Sequence, residues 1–162
     1  MKRSLSLLPI SLAAVIAVAG CGGGSSGSSN ASSTATPAKT ASADTVDVRK
    51  TDLGRILVDA QGRTLYMFEK DKNGKSACAD ACASAWPPVT GTATAGTGAV
   101  AKLIGTTKRS DGSTQATYNG WPLYLYEGDS AAGQTTGQGL DQFGAEWYVL
   151  APTGRKVEKE GS

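Results

Sequence analysis

The chain has 162 residues, with 16 Lys and Arg against 14 Asp and Glu, and no histidine. The lack of histidine removes the commonest general base and the commonest transition-metal ligand together. A near-neutral chain without a basic cluster also argues against nucleic acid as a partner, which would need several phosphate-neutralising side chains on one surface.

Residues 1–20 read as an export signal. Lys2 and Arg3 precede an apolar run from Leu5 to Ala19, which is interrupted by Pro9 and too short for a comfortable membrane span. The run ends in Val18-Ala19-Gly20-Cys21, which resembles the lipobox of bacterial lipoproteins, where the cysteine thiol is acylated and the chain is cleaved before it. Cys21 is thus the expected lipidation site, carrying diacylglycerol and palmitate. Cleavage would remove Lys2 and Arg3, and the 16 basic residues would fall to the number of acidic ones, 14. Attachment to the membrane is then expected from acyl chains, at about 0.8 kcal/mol per buried methylene, and not from a polybasic patch.

Residues 21–44 continue as a Gly, Ser, Ala and Thr tether with almost no apolar bulk. As a coil it would reach about 25 Å. Residues 45–157 have the length of one domain, and residues 158–162 are a tail. With Cys21 acylated, Cys78 and Cys82 remain, and outside the cytoplasm such a pair is expected as a disulfide.

Within the domain the signals are short antiparallel strands. Val46 and Val48 alternate with polar residues, and Arg55 to Val58 leads through a turn at Gly62 into Thr64 to Phe68, a hairpin pattern. Ala77 to Ala85 is Ala-rich and reads as one short helix stopped by Pro87-Pro88. Leu103–Lys108, Thr114–Tyr118 and Leu123–Tyr126 suggest a three-strand meander. Asn119-Gly120 supplies the type I′ turn in it. Gly133 to Gly139 is a Gly-rich stretch lacking the Lys-Ser/Thr step of a P-loop and is expected to be a flexible connection. Trp147 to Leu150 closes the domain.

Residues 57–71 recur, aligned without gaps, as residues 115–129, an offset of 58. The copies share Gly62/Gly120, Leu65/Leu123, Tyr66/Tyr124, Glu69/Glu127 and Asp71/Asp129. A repeat of this length means one supersecondary unit used twice, its halves packed together. The expected fold is therefore mostly β, a compact antiparallel domain of two related hairpins or meanders, about 53–90 and 103–154, packed face to face. One short helix lies near the cysteine pair.

The pattern Tyr-x-aromatic-x-x-Asp appears twice, as Tyr66, Phe68 and Asp71 and as Tyr124, Tyr126 and Asp129. Together with Cys78-x-x-x-Cys82 and Trp86-Pro87-Pro88 it resembles the secreted-repeat family of predicted bacterial lipoproteins, named for that duplicated motif. The resemblance spans about Leu53 to Gly154 and implies no catalytic residues, because the family is of unknown function. It also suggests an actinobacterial type of chain, on the outer face of the cytoplasmic membrane. In a two-membrane cell, Gly22 in place of an Asp retention signal would allow the outer membrane.

The motif residues make physical sense without chemistry. In a strand, Tyr66 and Phe68 share one face and Leu65 and Met67 the other, while Asp71 and Asp129 can set the turns that follow. A cation held between the two carboxylates is the competing reading, although no acid-rich calcium loop is present. For Cys78 and Cys82 the alternatives are a structural staple and a thiol–disulfide exchange centre. The spacing departs from C-x-x-C, and on a regular helix the pair would sit too far apart for a relaxed bond. Trp86 and Trp147 are expected in the core. Trp121, beside the Asn119-Gly120 turn, is the candidate ligand contact, able to stack on a sugar or partner. With no cofactor, metal or nucleophile motif indicated, the expectation is a lipid-anchored, non-enzymatic envelope module that binds an unidentified envelope protein or glycan. A redox protein using Cys78 and Cys82, and a cell-wall binder using exposed aromatics, are the alternatives.

Overall fold

The computed structural model describes residues 45–158. The export signal, Cys21, the tether and residues 159–162 lie outside the described residues.

Two hairpins open the two repeats. In the first, β1 (Thr45–Thr51) pairs antiparallel with β2 (Gly54–Asp59), with Val46 opposite Asp59. In the second, β5 (Ile104–Lys108) pairs with β6 (Thr114–Tyr118), with Ile104 opposite Tyr118. The next turns differ by one residue. Asp59–Arg63 is closed by Asp59 N–H to Arg63 O (2.9 Å), leaving three residues between, with Gly62 at φ 78°. In the other repeat Tyr118 pairs directly with Trp121 across Asn119 (φ 51°) and Gly120 (φ 80°), the type I′ turn expected of Asn-Gly. The ungapped alignment therefore slips before the turn. Leu65 N–H bonds Leu57 O while Leu123 N–H bonds Ala116 O, so Leu57 corresponds to Ala116 and not to Gln115.

After the turns the chain departs from simple face-to-face packing of two hairpins. Tyr66 and Tyr124 lie antiparallel to each other, exchanging both backbone bonds (Tyr66 N–H to Tyr124 O, 2.9 Å; Tyr124 N–H to Tyr66 O, 3.0 Å). This pair marks a pseudo-twofold axis, and beyond it each repeat pairs with the end of the other. β3 (Tyr66–Phe68) takes β9 (Ala145–Val149) as its partner, Phe68 opposite Trp147. The counterpart segment lies along Ala85–Pro88, through Leu125 N–H to Pro87 O and Glu127 N–H to Ala85 O. Glu69 N–H to Glu146 O is the symmetric equal of the latter bond. The expected meander is thus confined to β5, β6 and the two-residue β7 (Trp121–Pro122), because residues 123–127 leave that sheet to cross the axis.

Two further strands complete three small sheets. β8 (Leu140–Gln142) pairs with β9, and β4 (Thr94–Ala95), from the connection between repeats, pairs parallel with β1. The helix α1 is shorter than its alanine content predicts, Ala81–Ala85, because Asp80 takes a positive φ of 52° and ends the pattern there. Cys78 consequently lies outside the helix. Its Cα is 5.2 Å from that of Cys82, so the regular-helix spacing that would oppose a bond does not arise.

The central strands divide the core by parity. Leu65, Met67, Leu123 and Leu125 join Val46, Leu57, Val89 and Leu150 on one side. Tyr66, Phe68 and Tyr124 join Trp86, Trp147, Val149 and the cystine on the other. The alternation of the motif, apolar on both faces, is that of a strand buried between two layers.

Candidate functional site

The duplicated motif forms a buried constellation on the aromatic side of the axis. The Tyr66 hydroxyl donates to Asp129 Oδ2 (2.8 Å), and the Tyr124 hydroxyl donates to Asp71 Oδ2 (2.8 Å). Each tyrosine is thus bound to the aspartate of the other copy. All four residues are buried, the tyrosines at 0 % exposure and Asp71 and Asp129 at 2 % and 8 %.

The other carboxylate oxygens do what the turn position leads one to expect. Asp71 Oδ1 accepts from Ala77 N–H (2.7 Å), while Asp129 Oδ1 accepts from Thr136 N–H (3.0 Å) and from the Thr136 hydroxyl. Each Asp also closes a tight turn with its own backbone, Asp71 N–H to Phe68 O and Asp129 N–H to Tyr126 O. The turn-setting role is therefore present in both copies, with the cross-repeat bond added to it.

Above the carboxylates the aromatic rings form a palindromic stack. Phe68 lies on Trp147 (centroids 4.0 Å apart), Trp147 on Trp86 (3.9 Å) and Trp86 on Tyr126 (4.2 Å). The motif aromatic of each repeat therefore covers the tryptophan of the other. Tyr66 and Tyr124 meet Trp86 and Trp147 edge-on. Offset and edge-to-face contacts of this kind add about 0.5–1.5 kcal/mol per pair beyond burial.

The two ends of the axis are not equivalent. Around Asp71 a polar network extends inward. Ser76 Oγ lies 2.7 Å from the Tyr124 hydroxyl, and Arg109 reaches Ser76 Oγ (2.9 Å), Gln115 Oε1 (2.7 Å) and Cys78 O (2.7 Å). Its Nε lies 3.6 Å from Asp111 Oδ2. Gln115, fully buried, passes the network on to Leu123 O (2.8 Å). At the counterpart position stands Ile56, and there the Tyr66 hydroxyl accepts from Gly137 N–H (3.3 Å) instead. Ser76, Arg109 and Gln115 have no local signal in the sequence. The roles of Ser76 and Arg109 follow from groups 31 to 48 residues apart meeting in the fold, while Gln115 bonds partners six and eight residues away across the β6 hairpins.

Burial dominates the electrostatics. It raises the Asp71 carboxyl to about 6, against the opposing pull of Ala77 N–H, the Tyr124 hydroxyl, Arg109 and Lys72. Burial, the Asp129 hydrogen bond and its charge push Tyr66 well above the usual phenol range. Burial and the Asp71 charge do the same for Tyr124. Both hydroxyls stay protonated and keep donating.

The remaining sequence candidates are distributed elsewhere. Cys78 and Cys82 form a disulfide, at 1 % and 6 % exposure, tied to the network through Cys78 O. Trp121 is half-buried against the aliphatic layer, at the boundary of two clefts of about 300 and 280 Å³ that also share Lys72. The expected flexible connection at Gly133–Gly139 is a packed cover. Gly133 N–H bonds Gly62 O (2.8 Å), Thr64 Oγ1 bonds Gln134 O (2.6 Å), and a Cβ on Gly137 would stand 2.7 Å from Trp86 Cη2. Among the described residues no group of three or more Cys, Asp or Glu is gathered as a metal-ligand set.

The fold and the constellation define a duplicated β domain whose two copies interlock through a shared tyrosine–aspartate motif. The chain belongs to the family described as a secreted repeat of unknown function, whose model matches it twice, over residues 47–90 and 105–151. The domain is accordingly extracytoplasmic. Comparison with the curated proteins and with the solved structures gave no match.

The raised Asp71 fixes the sign of a pH dependence. Its ordinary value is 3.8 and its folded value about 6, so between these limits the folded state binds more protons than the unfolded state. The contribution of Asp71 to stability is therefore largest below pH ~4, declines as pH rises to ~6 and is level above. Urea midpoints of wild type and Asp71→Asn across this range should differ in slope, the variant losing the decline.

Proposed function

We propose that this chain is a lipid-anchored envelope protein whose duplicated β domain is a non-enzymatic structural or binding module held outside the membrane by residues 22–44. The observation that carries the reading is the burial of the motif. The most reactive-looking side chains of the family pattern, Tyr66, Asp71, Tyr124 and Asp129, are bound to one another inside the core. The two tyrosines have no exposed surface, and the aspartates keep almost none. Burial of both sulfurs likewise supports a staple in preference to thiol exchange, which needs an accessible sulfur. Anchoring rests on the Val18-Ala19-Gly20-Cys21 sequence and on the extracytoplasmic setting of the family. Metabolic labelling with palmitate should mark the wild-type chain, and Cys21→Ala should abolish the label and release the domain from the membrane fraction. A labelled Cys21→Ala chain, or a wild-type chain that takes no label, would sink the anchoring.

The half-exposed face of Trp121 favours a glycan as the ligand class. An indole ring bordered by Lys72, Asn73 and Asn119 offers a stacking plane with polar groups at its rim. Sedimentation with purified cell wall should pull down the wild-type chain and lose most of it on Trp121→Ala. Equal sedimentation of both would remove Trp121 from the binding surface.

A further inference from the structure

The two turns of the duplicated unit are covered differently. Around the first, the segment after Asp129 closes down. Gly133 N–H donates to Gly62 O (2.8 Å), and a Cβ on Gly62 would stand 3.3 Å from Ala132 Cβ. Gln134 holds that segment in place, its Oε1 accepting from Ser130 N–H (2.6 Å) and Ala131 N–H (3.0 Å). Arg63, beside the turn, is tied to Asp59 Oδ2 (2.6 Å). Around the second turn, the segment after Asp71 makes no backbone bond to Asn119 or Gly120. A cleft of about 300 Å³ is left between residues 72–74 and Trp121. The offset of 58 puts Trp121 where the first repeat has Arg63, and Lys72 where the second has Ser130. The open cleft is therefore not part of the repeated scaffold. It belongs to one half, and both residues that border it differ in kind from their counterparts.

We propose that this cleft binds a glycan carrying an anionic substituent, with the sugar ring on Trp121 and its carboxylate or phosphate on Lys72 Nζ. The proposal rests on the glycan reading of Trp121 and adds the charge of the ligand. The balance of charges in the clefts carries it. Lys72 and Trp121 also border the second cleft, of about 280 Å³, which is lined in addition by Met67, Glu69 and Lys156. There Lys156 is matched by Glu69 Oε1 (2.6 Å) and Glu158 Oε1 (2.8 Å). The Asp71 carboxylate is turned inward, onto Ala77 N–H and the Tyr124 hydroxyl. Among the described residues, Lys72 has no carboxylate within ion-pair distance, and its Nζ donates to a neutral acceptor, Glu69 O (2.9 Å). An ammonium carries three donors, so two remain for an acceptor supplied from outside. The indole offers an apolar plane to the C–H face of a sugar ring, and the ammonium on the same cleft pairs with a carboxylate or phosphate as a point charge. A neutral glycan would leave that charge unmatched beside the ring.

The test is sedimentation of the full chain with three preparations of purified cell wall. One is untreated, one is amidated at its carboxylates with carbodiimide and methylamine, and one is stripped of phosphodiester-linked polymers with hydrofluoric acid. Wild type should lose about fivefold in affinity on a treated wall, the amidated one for a carboxylate and the stripped one for a phosphate. Lys72→Gln should show the same loss on the untreated wall and no further loss on either treated one, and Lys72→Arg should restore binding. Lys75 is exposed and lines neither cleft, so Lys75→Gln should bind as wild type does. Equal losses for Lys72→Gln and Lys75→Gln would mark a general attraction to an anionic wall and overturn the proposal. Binding that needs Trp121 but is unchanged by Lys72→Gln and by both treatments would overturn the charge and leave the glycan reading standing. Sedimentation indifferent to Trp121→Ala would overturn the glycan reading and this inference with it.

Discussion

Asp71 and Asp129 are buried, and each accepts a hydrogen bond from a tyrosine that belongs to the other repeat. A carboxylate removed from water costs several kcal/mol unless its oxygens are bonded. Each aspartate can satisfy one oxygen from its own turn, through Ala77 or Thr136, but the second oxygen is satisfied across the axis. The repeats are therefore locked in one relative placement, with Tyr66 and Tyr124 paired through their backbones and each hydroxyl on the aspartate of the other repeat. The paired backbone of these tyrosines, the exchange of Phe68 onto Trp147 and of Tyr126 onto Trp86, and the pairing of β3 with β9 all follow from that placement. Neither repeat closes its own aromatic layer.

The departures from symmetry carry their own information. Where Ile56 fills space in one half, Gln115 brings Arg109 into the interior of the other, and the backbone carbonyl of Cys78 is fixed by that guanidinium. The cystine, the short helix α1 and the polar network thus form one unit around Asp71. At Asp129 the corresponding work is done by the Thr136 backbone and hydroxyl and by Gly137 N–H, and Gly137 packs so closely over Trp86 that a side chain there would not fit. One solution uses side chains and a covalent staple, the other a close-lying loop. Both keep water from the carboxylates.

Much of this was legible from local chemistry. The Asn119-Gly120 turn, the period-2 faces of Leu65-Tyr66-Met67-Phe68, the stop at Pro87-Pro88 and the burial of Trp86 and Trp147 depend on a few neighbouring residues, so pattern sufficed. The crosswise pairing did not show, because a motif repeated twice reads identically whether its Tyr binds its own Asp or the other. The extra residue in the Asp59–Arg63 turn was hidden for a similar reason, since an ungapped match can hide a slip where Leu57 and Gln115 share no identity. The packing of Gly133–Gly139 was misread as freedom because glycine marks a close approach as readily as a flexible link. The roles of Arg109 and of β4 are set by contacts between distant segments, which no window along the chain contains.

The interlock is the claim on which the account of both fold and function stands, and a double-mutant cycle addresses it directly. Urea unfolding would be measured for Tyr66→Phe, Asp129→Asn and their combination, and in parallel for Tyr66→Phe with Asp71→Asn. Crosswise bonding predicts a coupling of about 1–2 kcal/mol for Tyr66 with Asp129 and less than about 0.5 kcal/mol for Tyr66 with Asp71. Coupling confined to the pair within one repeat, or absent from both, would contradict it.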